Sequence, residues 1–341
     1  MKTSDFHYEL PEALIAQTPI EPRDHSRLLV YNRADRSVTH LHFYDLPRFL
    51  RAGDALVLNE TKVIPARLLG EKEGTGVPVE ILLLRRETRD VWEALVRPGR
   101  RLLPGTFCRF GGGLLRAEIL SSLASGGRMV RFHYRGVFET LLDELGQMPL
   151  PPYIHEHLVD QTRYQTVYAK AEGSAAAPTA GLHFTPALLD GIRAMGVQVV
   201  PILLHVGLGT FRPVKVQNLD EHVMHVEQYE VTPEAAQRIN GARAGGGRIV
   251  CVGTTSVRTL ETVADDQGML SPGKGETGIF ITPGYRYRAV DALLTNFHLP
   301  ESTLLMLVSA LMGREEALRV YGIAVSQQYR FFSFGDAMLI L

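Results

Sequence analysis

Five imidazoles of this chain stand in loops made otherwise of small and polar residues, where a side chain can do chemistry. His183 lies in Ala177-Pro178-Thr179-Ala180-Gly181-Leu182-His183-Phe184, where small residues allow close backbone approach to a ligand, and supplies a group that titrates near neutrality. His205 opens His205-Val206-Gly207-Leu208-Gly209-Thr210-Phe211, whose glycines leave N–H groups available to an anion or a base. That run is not a dinucleotide fingerprint, because Pro213 stands where the helix should open. His222 and His225 fall in Asp220-Glu221-His222-Val223-Met224-His225-Val226-Glu227, with Glu227 placed to anchor a ribose. Two histidines three apart among acids invite a zinc reading with His183 or His205, but the H-E-x-x-H order is missing and no cysteine assists, so acid–base work is the better expectation. His298 belongs to Thr295-Asn296-Phe297-His298-Leu299-Pro300-Glu301-Ser302-Thr303, which gathers amide, imidazole, carboxylate and hydroxyl groups. A fifth loop, Gly253-Thr254-Thr255-Ser256-Val257-Arg258, has no histidine but three hydroxyls placed to cap a helix whose N–H groups suit a carboxylate or phosphate.

These loops need strands and helices to aim them. Apolar runs predict strands near 27–31, 38–42, 55–59, 197–205, 248–253, 278–282 and 290–296. Helical spacing predicts helices near 186–195, 233–244, 256–264, 302–312 and 314–329. Strands alternating with helices imply a parallel or mixed sheet covered on both faces, with ligands at the edge where strands end and helices begin. Between 63 and 134 the pattern is strand-like throughout and broken by Gly and Pro, which predicts a small barrel or sandwich. The fold class expected is therefore α/β: a discontinuous sheet domain over 1–64 and 148–341, interrupted by an all-β barrel over 65–147.

The net charge of −1 conceals an uneven distribution. Residues 85–135 hold eleven Arg against four acids, a local +7, and no Lys. Arg grips phosphate bidentately and stacks on bases, so this stretch predicts a nucleic-acid surface. Two cysteines, Cys108 and Cys251, give neither a disulfide framework nor a C-x-x-C site. The start lacks a signal-like apolar run, and the most apolar helical stretch, 303–312, is half a membrane span. A cytoplasmic location is expected.

Taken together the five loops, with Ser4-Asp5-Phe6, the NETKVIPAR stretch of 59–67, the GQMPLPPYI stretch of 146–154, QTVY at 165–168 and YRFFSFGDA at 329–337, resemble the S-adenosylmethionine:tRNA ribosyltransferase-isomerases of queuosine synthesis. The resemblance runs from residue 4 to 341 and is weakest in the Arg-rich insert. Glu60 departs from the family's more frequent Asp or Asn.

The resemblance implies that the ribosyl part of S-adenosylmethionine is transferred and isomerised onto 7-aminomethyl-7-deazaguanine at a tRNA wobble position, releasing adenine and methionine. A sulfonium acidifies the adjacent C5′ protons and is itself a leaving group, so a positioned base can act without a metal, and no metal is expected. His183, His205 and His225 are the expected acid–base residues, with His298 in reserve. Substrate contacts are expected from Thr179, Gly181, Gly207, Gly209, Thr210, Glu227, Thr254, Thr255, Ser256, Arg258, Asn296, His298, Glu301 and Asp336, the methionine carboxylate lying near Thr254, Thr255 and Arg258. Contacts to tRNA are expected from Arg97, Arg100, Arg101, Lys62 and Arg67. A monomer with no membrane partner is expected. The alternatives are a zinc hydrolase using His183, His205, His222 and His225, a non-catalytic tRNA-binding protein, and a tRNA methyltransferase, for which residues 24–60 lack the glycine-rich loop.

Overall fold

The structure is a computed structural model that describes all residues except 125, 157, 159, 208–213 and 215. The chain divides into two compact units, one of residues 1–61, 152–171 and 178–341, the other of 62–151 and 172–177.

The first unit is built on a nine-stranded mixed sheet. Its order is Gly273–Thr277, Glu227–Val231, Gln198–Leu204, Ala55–Asn59, Ile249–Val252, Ala292–Asn296, Ala337–Ile340, Arg27–Tyr31, Val38–His42. The four from Gln198–Leu204 to Ala292–Asn296 run parallel, and Ala337–Ile340 returns antiparallel to them. Strands of this kind read as unbroken apolar runs because both faces are covered. Ala55 and Val57 pack into one core with the helices Pro233–Ala244, Gly253–Val263, Thr303–Met312 and Arg314–Ser326; Leu56 and Leu58 pack into the other with Pro186–Ala194. Thr185, Thr232 and Ser302 each accept a backbone N–H as helix N-caps, and Pro186 and Pro233 take the first helical position, where a missing N–H costs nothing.

Two expected elements differ. The strand expected near 278–282 lies instead at Gly273–Thr277. Its partner Glu227–Val231 begins opposite Thr277, so residues beyond Thr277 have no strand to pair with, although Ile281 still buries its side chain. The helix expected from Ser256 begins at Gly253, and none of the three hydroxyls caps it.

The second unit is a closed barrel. Arg67–Lys72, Pro78–Arg86, Val91–Arg97, Arg128–Tyr134, Leu115–Ser122 and Phe107–Phe110 follow one another, and the last pairs back onto the first. Alternate residues of each strand fill a core with Trp92, Phe132 and Phe138, the last from the helix Phe138–Leu145. The unit spans 62–151 where 65–147 is expected, and it takes in 172–177 as well.

Candidate active site

Strand direction collects the polar loops. The parallel strands end at Asn59, Leu204, Val252 and Asn296 on one edge of the sheet. Antiparallel pairing brings the starts of Glu227–Val231 and Ala337–Ile340 to that edge, and Arg27–Tyr31 starts there too, beside Ala337. Glu227 and Asn296 stand four strand spacings apart, about 19 Å at ~4.8 Å each. The edge therefore carries two hydrogen-bonded groups, with His205 and the helix start at Gly253 between them.

The first group centres on His183. Asn296 Nδ2 donates to the backbone oxygen of Phe332 (3.2 Å) and its Oδ1 accepts from Thr179 Oγ1 (3.1 Å), which fixes the amide orientation. Nδ2 is also 3.2 Å from His183 Nε2, which must then be the acceptor, leaving the proton on Nδ1 to bond Ser26 Oγ at 2.7 Å. Phe43 stacks on the ring. Burial, reinforced by the charges of Arg330, Arg23 and Arg163, pushes this imidazole down to about 3. His183 is thus a neutral ring with both nitrogens engaged. Beside it, Gly181 leaves no room for a side chain: a β-carbon there would stand 1.9 Å from Tyr168 Oη.

The second group centres on Glu227, which is buried. Its Oε1 accepts from the Gly207 N–H (2.9 Å) and faces His225 Nε2 (3.2 Å); its Oε2 pairs with the buried Arg258. Burial alone would raise this carboxyl, but the bond from His225, the Arg258 charge and the Gly207 N–H outweigh it and hold the group below its usual range. Glu227 and Arg258 are therefore spent on each other and on the His205–Gly207 turn.

Between these groups His205 is half-buried, and its Nδ1 is 2.9 Å from Thr61 Oγ1. No described residue bonds its Nε2. Asn59 sets this turn by donating to Leu204 O (2.9 Å) and accepting from Leu204 N (3.1 Å). Burial, offset in part by Glu230, holds His205 below the ordinary imidazole value, so the ring is neutral at pH 7.

Other expected residues are engaged elsewhere along the edge. His298 is buried, with Nε2 2.8 Å from Thr295 Oγ1, and burial takes it down to about 3. Asp336 accepts the N–H groups of Arg27 and Arg330, both at 2.8 Å. Glu301 has a left-handed backbone (φ 59) and faces His7 Nδ1 at 3.2 Å. Thr254, Thr255 and Ser256 are buried in the first turn of their helix, and Ser256 Oγ donates to Val252 O. Gly209 and Thr210 lie outside the described residues. Among the described residues no three His, Cys, Asp or Glu stand close enough to hold a metal ion, so His183, His205, His222 and His225 do not form a ligand set. Ser26, Asn59 and Thr61 carry no catalytic signature. Asn59 and Thr61 at least fall in a stretch that the family resemblance singles out, whereas nothing marks Ser26.

In the barrel unit, Fourteen Lys and Arg face eleven Asp and Glu, a net of +3. The +7 of residues 85–135 falls because the rest of the unit holds seven acids against three cations, and of those acids Glu71, Glu73 and Glu139 pair with Arg109, Arg116 and Arg86. Lys62 pairs with Glu172 (2.8 Å) and Arg67 with Glu80 (3.1 Å). Arg97, Arg100 and Arg101 are exposed and make no ion pair with a described residue.

Two buried neutral histidines carry a stability consequence. As pH falls below about 6.5, the unfolded chain takes up protons on His183 and His298 that the folded chain refuses until near pH 3. Their contribution is complete above 6.5 and lost on acidification, by about tenfold in the unfolding equilibrium per group and pH unit. Urea midpoints at pH 7, 6 and 5 should therefore fall less steeply for His298→Gln than for the parent. Parallel slopes would mean that His298 takes its proton in the folded state.

Comparison with known proteins gives the family. The model of the queuosine biosynthesis protein family matches residues 3–340. S-adenosylmethionine:tRNA ribosyltransferase-isomerases from Symbiobacterium thermophilum and Moorella thermoacetica are 63% and 61% identical, each comparison covering 100% of both chains. The crystal structure of an S-adenosylmethionine tRNA ribosyltransferase from Thermotoga maritima is 39% identical, covers 99% of this chain and 100% of its own, and superposes with a TM-score of 0.56. The chain belongs to the queuosine biosynthesis family of S-adenosylmethionine:tRNA ribosyltransferase-isomerases.

Proposed function

We infer that this enzyme moves the ribosyl part of S-adenosylmethionine onto the aminomethyl group of 7-aminomethyl-7-deazaguanine in a tRNA anticodon and isomerises it to the epoxycyclopentanediol of epoxyqueuosine. Adenine and methionine leave. The observation that carries this reading, beyond family membership, is the meeting of the polar loops at one edge of the large sheet.

Within that edge His205 best fits the base that takes a C5′ proton from the donor. It is neutral at pH 7, steadied through Nδ1 by Thr61, and presents Nε2. His183, with both nitrogens bonded, fits a positioning role that holds Asn296 and the Thr179–Gly181 loop against substrate. His225 fits the same kind of role through Glu227 and Gly207. No helix among the described residues is long and apolar enough to cross a membrane, which fits work on tRNA in the cytoplasm.

Incubating the protein with S-adenosylmethionine and tRNA carrying the aminomethyl base tests the reading. Adenine and methionine should appear in equal amounts while the nucleoside gains the mass of the cyclopentanediol. A methyl-sized gain would make the enzyme a methyltransferase, and absence of adenine release would leave a tRNA-binding protein.

Contacts to tRNA phosphates are assigned to Arg97, Arg100 and Arg101. Replacing Arg100 and Arg101 together by Glu should raise KM for tRNA at least about tenfold and leave KM for S-adenosylmethionine unchanged. The log–log salt slope should shrink by about one per lost phosphate contact. Equal effects on both substrates would remove the barrel turn from the interface.

A further inference from the structure

Helices Pro186–Ala194, Pro233–Ala244 and Thr303–Met312 start on a Thr or Ser that satisfies a first-turn N–H. Helix Gly253–Val263 does not. Its N-cap is Val252 and, among the described residues, no side chain caps it. Gly253 to Ser256 are nonetheless all buried. A buried helix start without a capping side chain leaves first-turn N–H groups for another acceptor, and its positive end selects an anion.

A second observation points the same way. Thr255 is 8% exposed and its Oγ1 has no hydrogen-bond partner. That oxygen stands 3.6 Å from where a β-carbon on Gly253 would be, so it is turned back toward the helix start. Gly253 itself has φ +81, and the Ala180 methyl closes the opposite side, also at 3.6 Å from that position. Tyr168 Oη, packed on the adjoining Gly181, is buried without a partner as well. Arg258 adds nothing here, because Glu227 neutralises it.

We propose that the first turn of helix Gly253–Val263, with the Thr255 hydroxyl, is the site for the α-carboxylate of the donor's methionine part. The reading rests on S-adenosylmethionine being the donor. Recognition comes from N–H groups, one hydroxyl and the helix dipole, with no arginine clamp.

Titration calorimetry with S-adenosylmethionine and its decarboxylated form, in the presence of tRNA lacking the aminomethyl base, tests this on the full chain. The parent should prefer the carboxylate-bearing ligand by at least about tenfold, as expected for hydrogen bonds to a charged group. Thr255→Val should reduce that preference about tenfold by weakening S-adenosylmethionine alone, and Thr255→Ser should keep it. Because Val replaces an unpartnered buried hydroxyl, the thermal midpoint of Thr255→Val should equal or exceed the parent's, a result a structural hydroxyl would not give. Equal affinity of the parent for both ligands, or equal weakening of both by Thr255→Val, overturns the carboxylate site while leaving the donor intact. Failure of the parent to bind either ligand at millimolar concentration overturns the donor reading and the site with it.

Discussion

His205→Gln should lower kcat by two to four orders of magnitude, the usual contribution of a proton-transferring side chain, with little change in KM for tRNA. The parent's kcat should decline on the acid side with a midpoint below 6.5, since a base must be unprotonated and burial lowers this imidazole. The variant should lose that limb. Single-turnover release of adenine across pH 5 to 8 reads both effects. A variant within tenfold of the parent, or one with the same acid limb, would move the base to another group.

Glu227→Gln should cost about 3–5 kcal/mol of folding stability, because it leaves Arg258 charged and unpaired in a buried place. Gln can still accept from the Gly207 N–H, so the loss isolates the charge rather than the shape. Replacing Arg258 by Met in the same chain should recover most of the loss, as an apolar substitute for a buried pair often does. Urea unfolding of the parent, both single variants and the double variant gives the coupling directly. A cost for Glu227→Gln below 1 kcal/mol would mean that the pair is not a buried ion pair.

The parallel strands were legible because burial on both faces writes continuous apolar runs, as in Ala55–Asn59 and Ile249–Val252. Gly273–Thr277 was not. It is an exposed edge strand of sequence GKGET and carries no apolar signal. The loops that meet at the site were legible from their composition, since small and polar residues after an apolar strand mark the ligand edge. Which imidazole titrates was not, because that depends on Ser26, Thr61 and Asn296, brought in from distant parts of the chain. The Arg-rich window overstates the charge of the barrel, because Glu71, Glu73 and Glu139 stand just outside it and pair with Arg109, Arg116 and Arg86.

The place of Ala337–Ile340 in the sheet sets the order in which the protein can be made. This strand lies between Ala292–Asn296 and Arg27–Tyr31, so the earliest strand to leave the ribosome has nothing on that side until the latest arrives. Nascent chains halted before residue 337 would hold two unpaired β edges, the kind of surface that chaperones bind and that drives aggregation. The barrel has no such wait, because the six strands that close it are translated by residue 134.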